Sequence, residues 1–198
     1  MFVTFEGVDG SGKTTQVELL RSYLAEQGRD VVAAREPGGT PLGERVRELL
    51  LDGPEMTPWA EAALFAAARA ELAERVIRPA LARGADVVSD RYVDSSLVYQ
   101  GIARRLGLER VLELNLLAIG DLLPDRTFVL NVEPGLAASR VGETRDRIES
   151  ETGDFRSAVA EGYRSLEAVF PQRVRVLDGS RPASEIARAV REELAALV

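Results

Sequence analysis

The run Gly7-Val8-Asp9-Gly10-Ser11-Gly12-Lys13-Thr14 constrains this chain more than any other stretch. It follows Phe2-Val3-Thr4-Phe5, a short apolar β-prone run, and it precedes Thr15 to Leu24, where apolar residues recur at helical spacing. Every fixed position of G-x-x-x-x-G-K-[ST] is filled between a strand and a helix, the context that gives the motif its physics. Backbone N–H groups converge on an anion at the helix N-terminus, and the glycines let the main chain approach phosphate oxygens where a Cβ would intrude. Lys13 reaches the β- and γ-phosphates of a nucleoside triphosphate, and the Thr14 hydroxyl suits Mg2+. The expected triphosphate site therefore comprises Gly7, Val8, Asp9, Gly10, Ser11, Gly12, Lys13 and Thr14.

Downstream, Gly28 ends the first helix and Val31 to Ala34 reads as a second buried strand. Arg35-Glu36-Pro37-Gly38-Gly39-Thr40 then forms a turn-rich loop that opens a helix from near Pro41 to about Leu51. Strand ends of this kind border the ligand crevice in open α/β sheets, which gives Arg35 and Glu36 a use beyond surface pairing. From Thr57-Pro58, a capped start, helical periodicity runs to Ala82 with an apolar stripe of Leu64, Phe65, Ala68, Leu72, Val76 and Ile77. Arg69 lies four residues after Phe65 on one face. On helix geometry alone, Phe65 reads as core and Arg69 as a solvated or salt-bridged charge.

Asp86 to Asp90 is a third buried strand ending on a carboxylate, the position of the metal-side aspartate in P-loop enzymes, with Arg91-Tyr92 directly after. Ser95, Ser96, Tyr99 and Gln100 follow on a short helical stretch. Next come a helix from about Leu108 to Asp121, a fourth strand from Thr127 to Val132, and a helix starting near Pro134. The arginine-rich segment from Arg140 to Arg147 leads to a helix from about Asp154 to Val169, a fifth strand from Arg173 to Leu177 and a closing helix from Pro182. Alternating strands and helices indicate an α/β P-loop NTPase fold, a five-stranded parallel sheet with helices on both faces. Its 198 residues and lack of a linker suggest a single domain, 1–198, with a lid segment near 140–150.

Absences narrow the chemistry. A net charge of −7 makes long nucleic acid an unsuitable partner, so individual arginines must handle phosphate locally. With no Cys there is no disulfide or thiolate metal site, and with no His any acid–base work falls to carboxylates or to the substrate. The start lacks the basic and apolar blocks of a signal peptide, and no segment reads as a membrane span, so a cytoplasmic location is expected. There is no Asn-Lys-x-Asp guanine-reading motif, and no strand ends in the Asp-Glu pair of many motor ATPases. Arginines near strand ends and in a polar segment suit an acceptor that itself carries phosphate.

Taken together, Gly7 to Thr15, the loop from Arg35 to Thr40, Phe65-Ala66-Ala67-Ala68-Arg69, Asp90-Arg91-Tyr92, Tyr99-Gln100-Gly101 and Asp146-Arg147-Ile148-Glu149 resemble bacterial thymidylate kinases, in order through nearly the whole chain. The resemblance implies transfer of the γ-phosphate of ATP to dTMP, with Mg2+ and in a homodimer. It implies that Arg91 and Arg47 hold the dTMP phosphate, that Phe65 stacks on thymine, and that Arg69 donates to thymine O4. Tyr99 would stand where a ribose 2′-hydroxyl would project, Ser96 and Gln100 would meet the base edge, Glu36 would border the acceptor, and Asp9 would approach the sugar 3′-hydroxyl. Gly10 occupies the place where some members carry a basic residue, so the transition-state arginine is assigned to the lid, among Arg140, Arg145 and Arg147. Arg140 has stacking on adenine as an alternative role. Asp90 is the expected metal partner beside Thr14, although Asn131 stands where some relatives have a carboxylate. Two other readings remain at this point: a deoxynucleoside kinase that uses Glu36 as base on thymidine, and an ATP-binding regulatory module without a small acceptor.

Overall fold

In the computed structural model, which describes residues 1–141, 146–148 and 150–196, five parallel strands form one sheet. They are β1 Phe2–Glu6, β2 Val31–Arg35, β3 Asp86–Asp90, β4 Arg126–Asn131 and β5 Val174–Asp178, in the order β2-β3-β1-β4-β5. The central strand β1 is buried along its length, and its one hydroxyl, on Thr4, is satisfied by Thr127 Oγ1 at 2.8 Å. Contrary to the expectation of a second buried strand, β2 is half-exposed. It occupies a sheet edge, where only β3 pairs with it.

Successive residues of a strand face opposite sides, and the core divides accordingly. Val3, Phe5, Val88, Phe128 and Leu130 point to one face, where Val17, Leu20 and Leu24 of α1 Lys13–Glu26 meet Ile186, Val190 and Leu194 of the C-terminal helix Ala183–Ala195. The opposite face takes α2 Pro41–Leu51, whose N-cap Thr40 accepts from Gly43 N, and α3 Pro58–Leu72. After α3 the rod continues through a π-helical turn, Ala73–Ile77, into α4 Arg78–Ala82, so the expected helix to Ala82 is present in widened form. Pro79 has no N–H to return to the preceding turn, which suits a widened register there.

The same face carries α5 Val93–Ser96, a second π-helical stretch Leu97–Ala103, and α6 Leu108–Ile119. It is completed by α7 Pro134–Arg140 and α8 Gly153–Val169, and the C-terminal helix is α9. Leu97, Val98, Val111, Val129, Tyr163 and Leu166 make the apolar seam under α8. Strand order turns back on either side of β1, so the crevice beyond its C-terminal end lies between β3 and β4. Register places Phe5 level with both Asp90 and Phe128, and Arg35 level with Asp90. Glu6, Asp90 and Arg35 thereby arrive at one rim.

Candidate active site

The glycine loop spans that rim. Gly10 and Gly12 have φ of 78° and 96°, and a Cβ at Gly10 would stand 2.2 Å from Ala137 O, so the loop has no room for another residue there. Lys13 opens α1 and is buried, with Nζ donating to Val8 O at 3.0 Å and standing 3.7 Å from Asp9 Oδ1. Burial, then the nearby Arg91 charge, pulls its pKa down to about 8. Thr14 Oγ1 donates to Asp90 Oδ2 at 2.6 Å, which brings a hydroxyl and a carboxylate together at the mouth of the loop. These hard oxygens fit Mg2+, an ion that takes few protein ligands and completes its shell with water and phosphate. Among the described residues no group of three Asp or Glu side chains gathers as a self-sufficient metal cage.

Arg91 follows β3 with a φ of 71°, a left-handed conformation uncommon for a non-glycine residue. Its Nη2 donates to Asp9 Oδ1 at 2.7 Å, and its Nη1 donates to Gly7 O, Ser95 Oγ and Tyr163 OH at 3.0–3.2 Å. Burial would lift the Asp9 pKa, but Arg91 and Lys13 outweigh it and hold the carboxyl at about 2. Beneath Arg91 lies Glu6, 0% exposed, whose carboxylate accepts from Tyr92 N, Ser95 N, Ser95 Oγ and Tyr163 OH. Burial first, and Asp94 second, push the Glu6 pKa up to about 7.

Three cavities meet here, and Asp9 borders all of them. One of about 480 Å³ surrounds the glycine loop and is walled by Lys13, Thr14, Asp90, Arg91, Arg47 and Arg140. A second, of about 130 Å³, lies between Phe65, Tyr99, Ser96, Gln100, Arg47 and Arg91. Glu36 borders both. The third, about 290 Å³, is mainly apolar and lies between α7 and α8. Arg47 Nη1 donates to Pro37 O at 3.0 Å, beside the cis Glu36–Pro37 bond, and Arg140 Nη1 lies 3.3 Å from both Gly10 O and Gly179 O.

Two arginines stand elsewhere than the resemblance implied. Arg69 is 0% exposed and does not reach the cavity wall. Its five N–H groups go to Glu36, Ser96 Oγ, Asn115 Oδ1 and Tyr92 O, and none is left for a base. Both Glu36 oxygens accept from Arg69, which removes the free carboxylate that a base acting on a sugar hydroxyl requires. Arg147 turns from the glycine loop, donating to Leu50 O at 2.9 Å and Glu61 Oε2 at 2.8 Å, because Glu61 is buried and needs counter-charge. Arg145 lies outside the described residues.

From the sequence, Glu6, Tyr163 and Glu61 are not singled out, and Ser95 is named without a role. Glu6 had a local signal, a carboxylate at the end of an otherwise apolar strand directly before the glycine loop. Tyr163 had none, since it meets Arg91 only through a contact 72 residues away in sequence.

Comparison with known proteins gives a consistent result. A family model described as thymidylate kinase matches residues 5–190. A thymidylate kinase of Symbiobacterium thermophilum is 50% identical over 194 residues, covering 96% of this chain and 91% of that protein. One from Bifidobacterium longum strain DJO10A is 48% identical over 199 residues, covering 98% and 97%. The crystal structure of thymidylate kinase from Ehrlichia chaffeensis superimposes with a TM-score of 0.81 at 34% identity, covering 98% of each chain.

Proposed function

The chain belongs to the thymidylate kinase family and catalyses ATP-dependent phosphorylation of dTMP, and from that premise we propose which of its residues carry the reaction. The observation that supports the assignment best is Asp9, bonded to Arg91, 3.7 Å from Lys13, and bordering both the glycine-loop cavity and the Phe65 cavity. ATP occupies the first cavity and dTMP the second, so their phosphates meet across that carboxylate.

Lys13 exchanges its contact with Val8 O for the β- and γ-phosphates. Arg91 and Arg47 hold the acceptor phosphate, with guanidinium forks suited to its oxygens. Phe65 stacks on thymine and Tyr99 excludes a 2′-hydroxyl. Ser96 Oγ already accepts from Arg69, so its own proton is directed to the base at O4, and Arg69 acts through Ser96. Gln100 meets the N3 edge, and Asp9 approaches the 3′-hydroxyl. Arg140, the lid-side arginine on the glycine-loop cavity, faces the triphosphate. Thr14 and Asp90 would hold Mg2+, which would supply charge neutralisation to the phosphates.

No strong base is required. The acceptor phosphate has a second pKa of about 6 and is largely dianionic at neutral pH. The chain aligns two polyanions and offsets their repulsion with fixed positive charge. Of the other readings, the deoxynucleoside kinase loses its base to the Arg69 pair, and the non-catalytic module has no support in the family.

We further propose a single kinase domain with a lid near 140–150, a cytoplasmic location and a homodimer formed through the outer faces of α3 and α6. Leu117 on α6 is 81% exposed, which supports that choice of face. Among the described residues no helix is long and apolar enough to cross a membrane. A coupled ADP-release assay across nucleoside monophosphates tests the acceptor assignment. Turnover is expected with dTMP, and activity confined to another monophosphate overturns it.

A further inference from the structure

Gln100 lines the acceptor cavity, yet its amide is oriented from behind. Its Nε2 donates to Glu61 Oε1 at 2.9 Å, and Glu61 itself does not border the cavity. Glu61 is 1% exposed and also accepts from Arg104 Nε and Nη2 at 3.3 and 3.1 Å and from Arg147 Nη2 at 2.8 Å. Burial raises its pKa, but these donors, Arg104 first, outweigh burial and keep the carboxyl below its ordinary range. An ionised carboxylate has no proton to give, so only the NH2 end of Gln100 can face it. The carbonyl Oε1 is then the group that Gln100 offers to the cavity.

We propose that Glu61 is a positioning residue for base selection: by holding the Gln100 amide in one orientation, it makes the cavity favour a base with an N–H at the N3 position over one with a lone pair there. The proposal rests on the reading that this cavity takes a pyrimidine nucleotide with its base edge toward Gln100. Thymine and uracil carry N3–H, whereas cytosine turns a lone pair toward Oε1, so the effect separates imide bases from cytosine and is blind to the 5-methyl group. Arg147 contributes from the chain segment whose neighbours Asp146 and Ile148 border the same cavity. The base preference is thereby linked to the seating of that segment.

Steady-state kinetics of the full chain and Glu61→Gln with dTMP and dCMP test it. An amide at 61 can donate as well as accept, which frees Gln100 to turn over. The ratio of kcat/KM for dTMP to that for dCMP is expected to fall at least ~tenfold, through a raised KM for dTMP, with the KM for ATP within ~twofold. If both substrates decline together and the ratio holds, Glu61 is only structural and the proposal is overturned. Gln100→Ala separates the two levels. A collapsed ratio in Gln100→Ala with an unchanged one in Glu61→Gln rejects the proposal alone, whereas an unchanged ratio in Gln100→Ala rejects the base-edge reading and the proposal with it. Should Glu61→Gln fail to fold, Glu61→Asp serves under the same criterion, since it keeps a negative charge beside Arg104 and Arg147 while drawing the carboxylate back by one methylene from Gln100 and from both arginines.

Discussion

Arg91 Nη2 lies 2.7 Å from Asp9 Oδ1, and this ion pair ties the end of β3 to the middle of the glycine loop. The pair, a charge-assisted hydrogen bond, stands on the border of both cavities proposed to take the nucleotides, so its loss should register at the acceptor more than at ATP. Arg91→Lys keeps the charge and loses the fork that contacts Gly7, Ser95, Tyr163 and Asp9 together. Initial-rate measurements should show kcat/KM for dTMP reduced by roughly a hundredfold, with the KM for ATP little changed.

The Thr14–Asp90 hydrogen bond makes a second expectation. Asp90→Asn retains the size of the side chain and removes its charge. Titrating activity against free Mg2+ should place the midpoint about 10- to 100-fold higher than in the parent protein. An unshifted midpoint would remove Asp90 from the metal site.

Arg69 and Glu36 form a buried pair, with Nη2 and Oε2 2.5 Å apart. Arg69→Met leaves the buried Glu36 carboxylate without its counter-charge. Urea unfolding should show a loss of about 3–5 kcal/mol, and the double variant Arg69→Met/Glu36→Gln should regain part of it.

Glu6 gives a pH signature. Asp94, Arg91, Tyr163, Tyr99, Lys13 and Arg173 are the charged or titratable groups around it. Its folded pKa, about 7, exceeds the ordinary 4.5, so the native state holds the proton more tightly than the unfolded chain does. Its contribution is therefore fully present below about pH 4.5, declines as pH rises and levels off above about 7. Denaturation of the parent protein and of Glu6→Gln between those limits should converge or cross, with the difference moving in favour of the variant by up to about 3 kcal/mol. A constant difference across that range would show that Glu6 does not titrate there.

Lys13 yields a dependence of the same sign, read in binding instead of stability. Its pKa in the nucleotide-free protein is about 8, and phosphate favours the charged amine. ATP affinity should weaken as pH rises above 8, and calorimetry in buffers of different ionisation enthalpy should detect proton uptake on binding at pH 8.5. Binding without proton uptake would place the Lys13 pKa above that range.

Local motifs were the legible part of this protein. Gly7 to Thr14 specifies a turn with several left-handed residues between a strand and a helix, and that demand is visible in the residue types themselves. The alternation of strands and helices likewise gave the sheet class. What could not be read was burial imposed by strand order. Val31 to Ala34 is as apolar as an inner strand, and only its place at the sheet edge leaves it half-exposed. Arg69 and Arg147 were misplaced for a related reason. An arginine's direction depends on which buried carboxylate claims it, and Glu36 and Glu61 approach them from 33 and 86 residues away in sequence.

The backbone turn at Arg91, with φ of 71° and four side-chain bonds to Gly7, Ser95, Tyr163 and Asp9, has a thermodynamic corollary. A long guanidinium arm free in solvent would surrender its rotational freedom at the moment of capture. Here that entropy is given up when the polypeptide folds, so an incoming phosphate meets a socket that is already set.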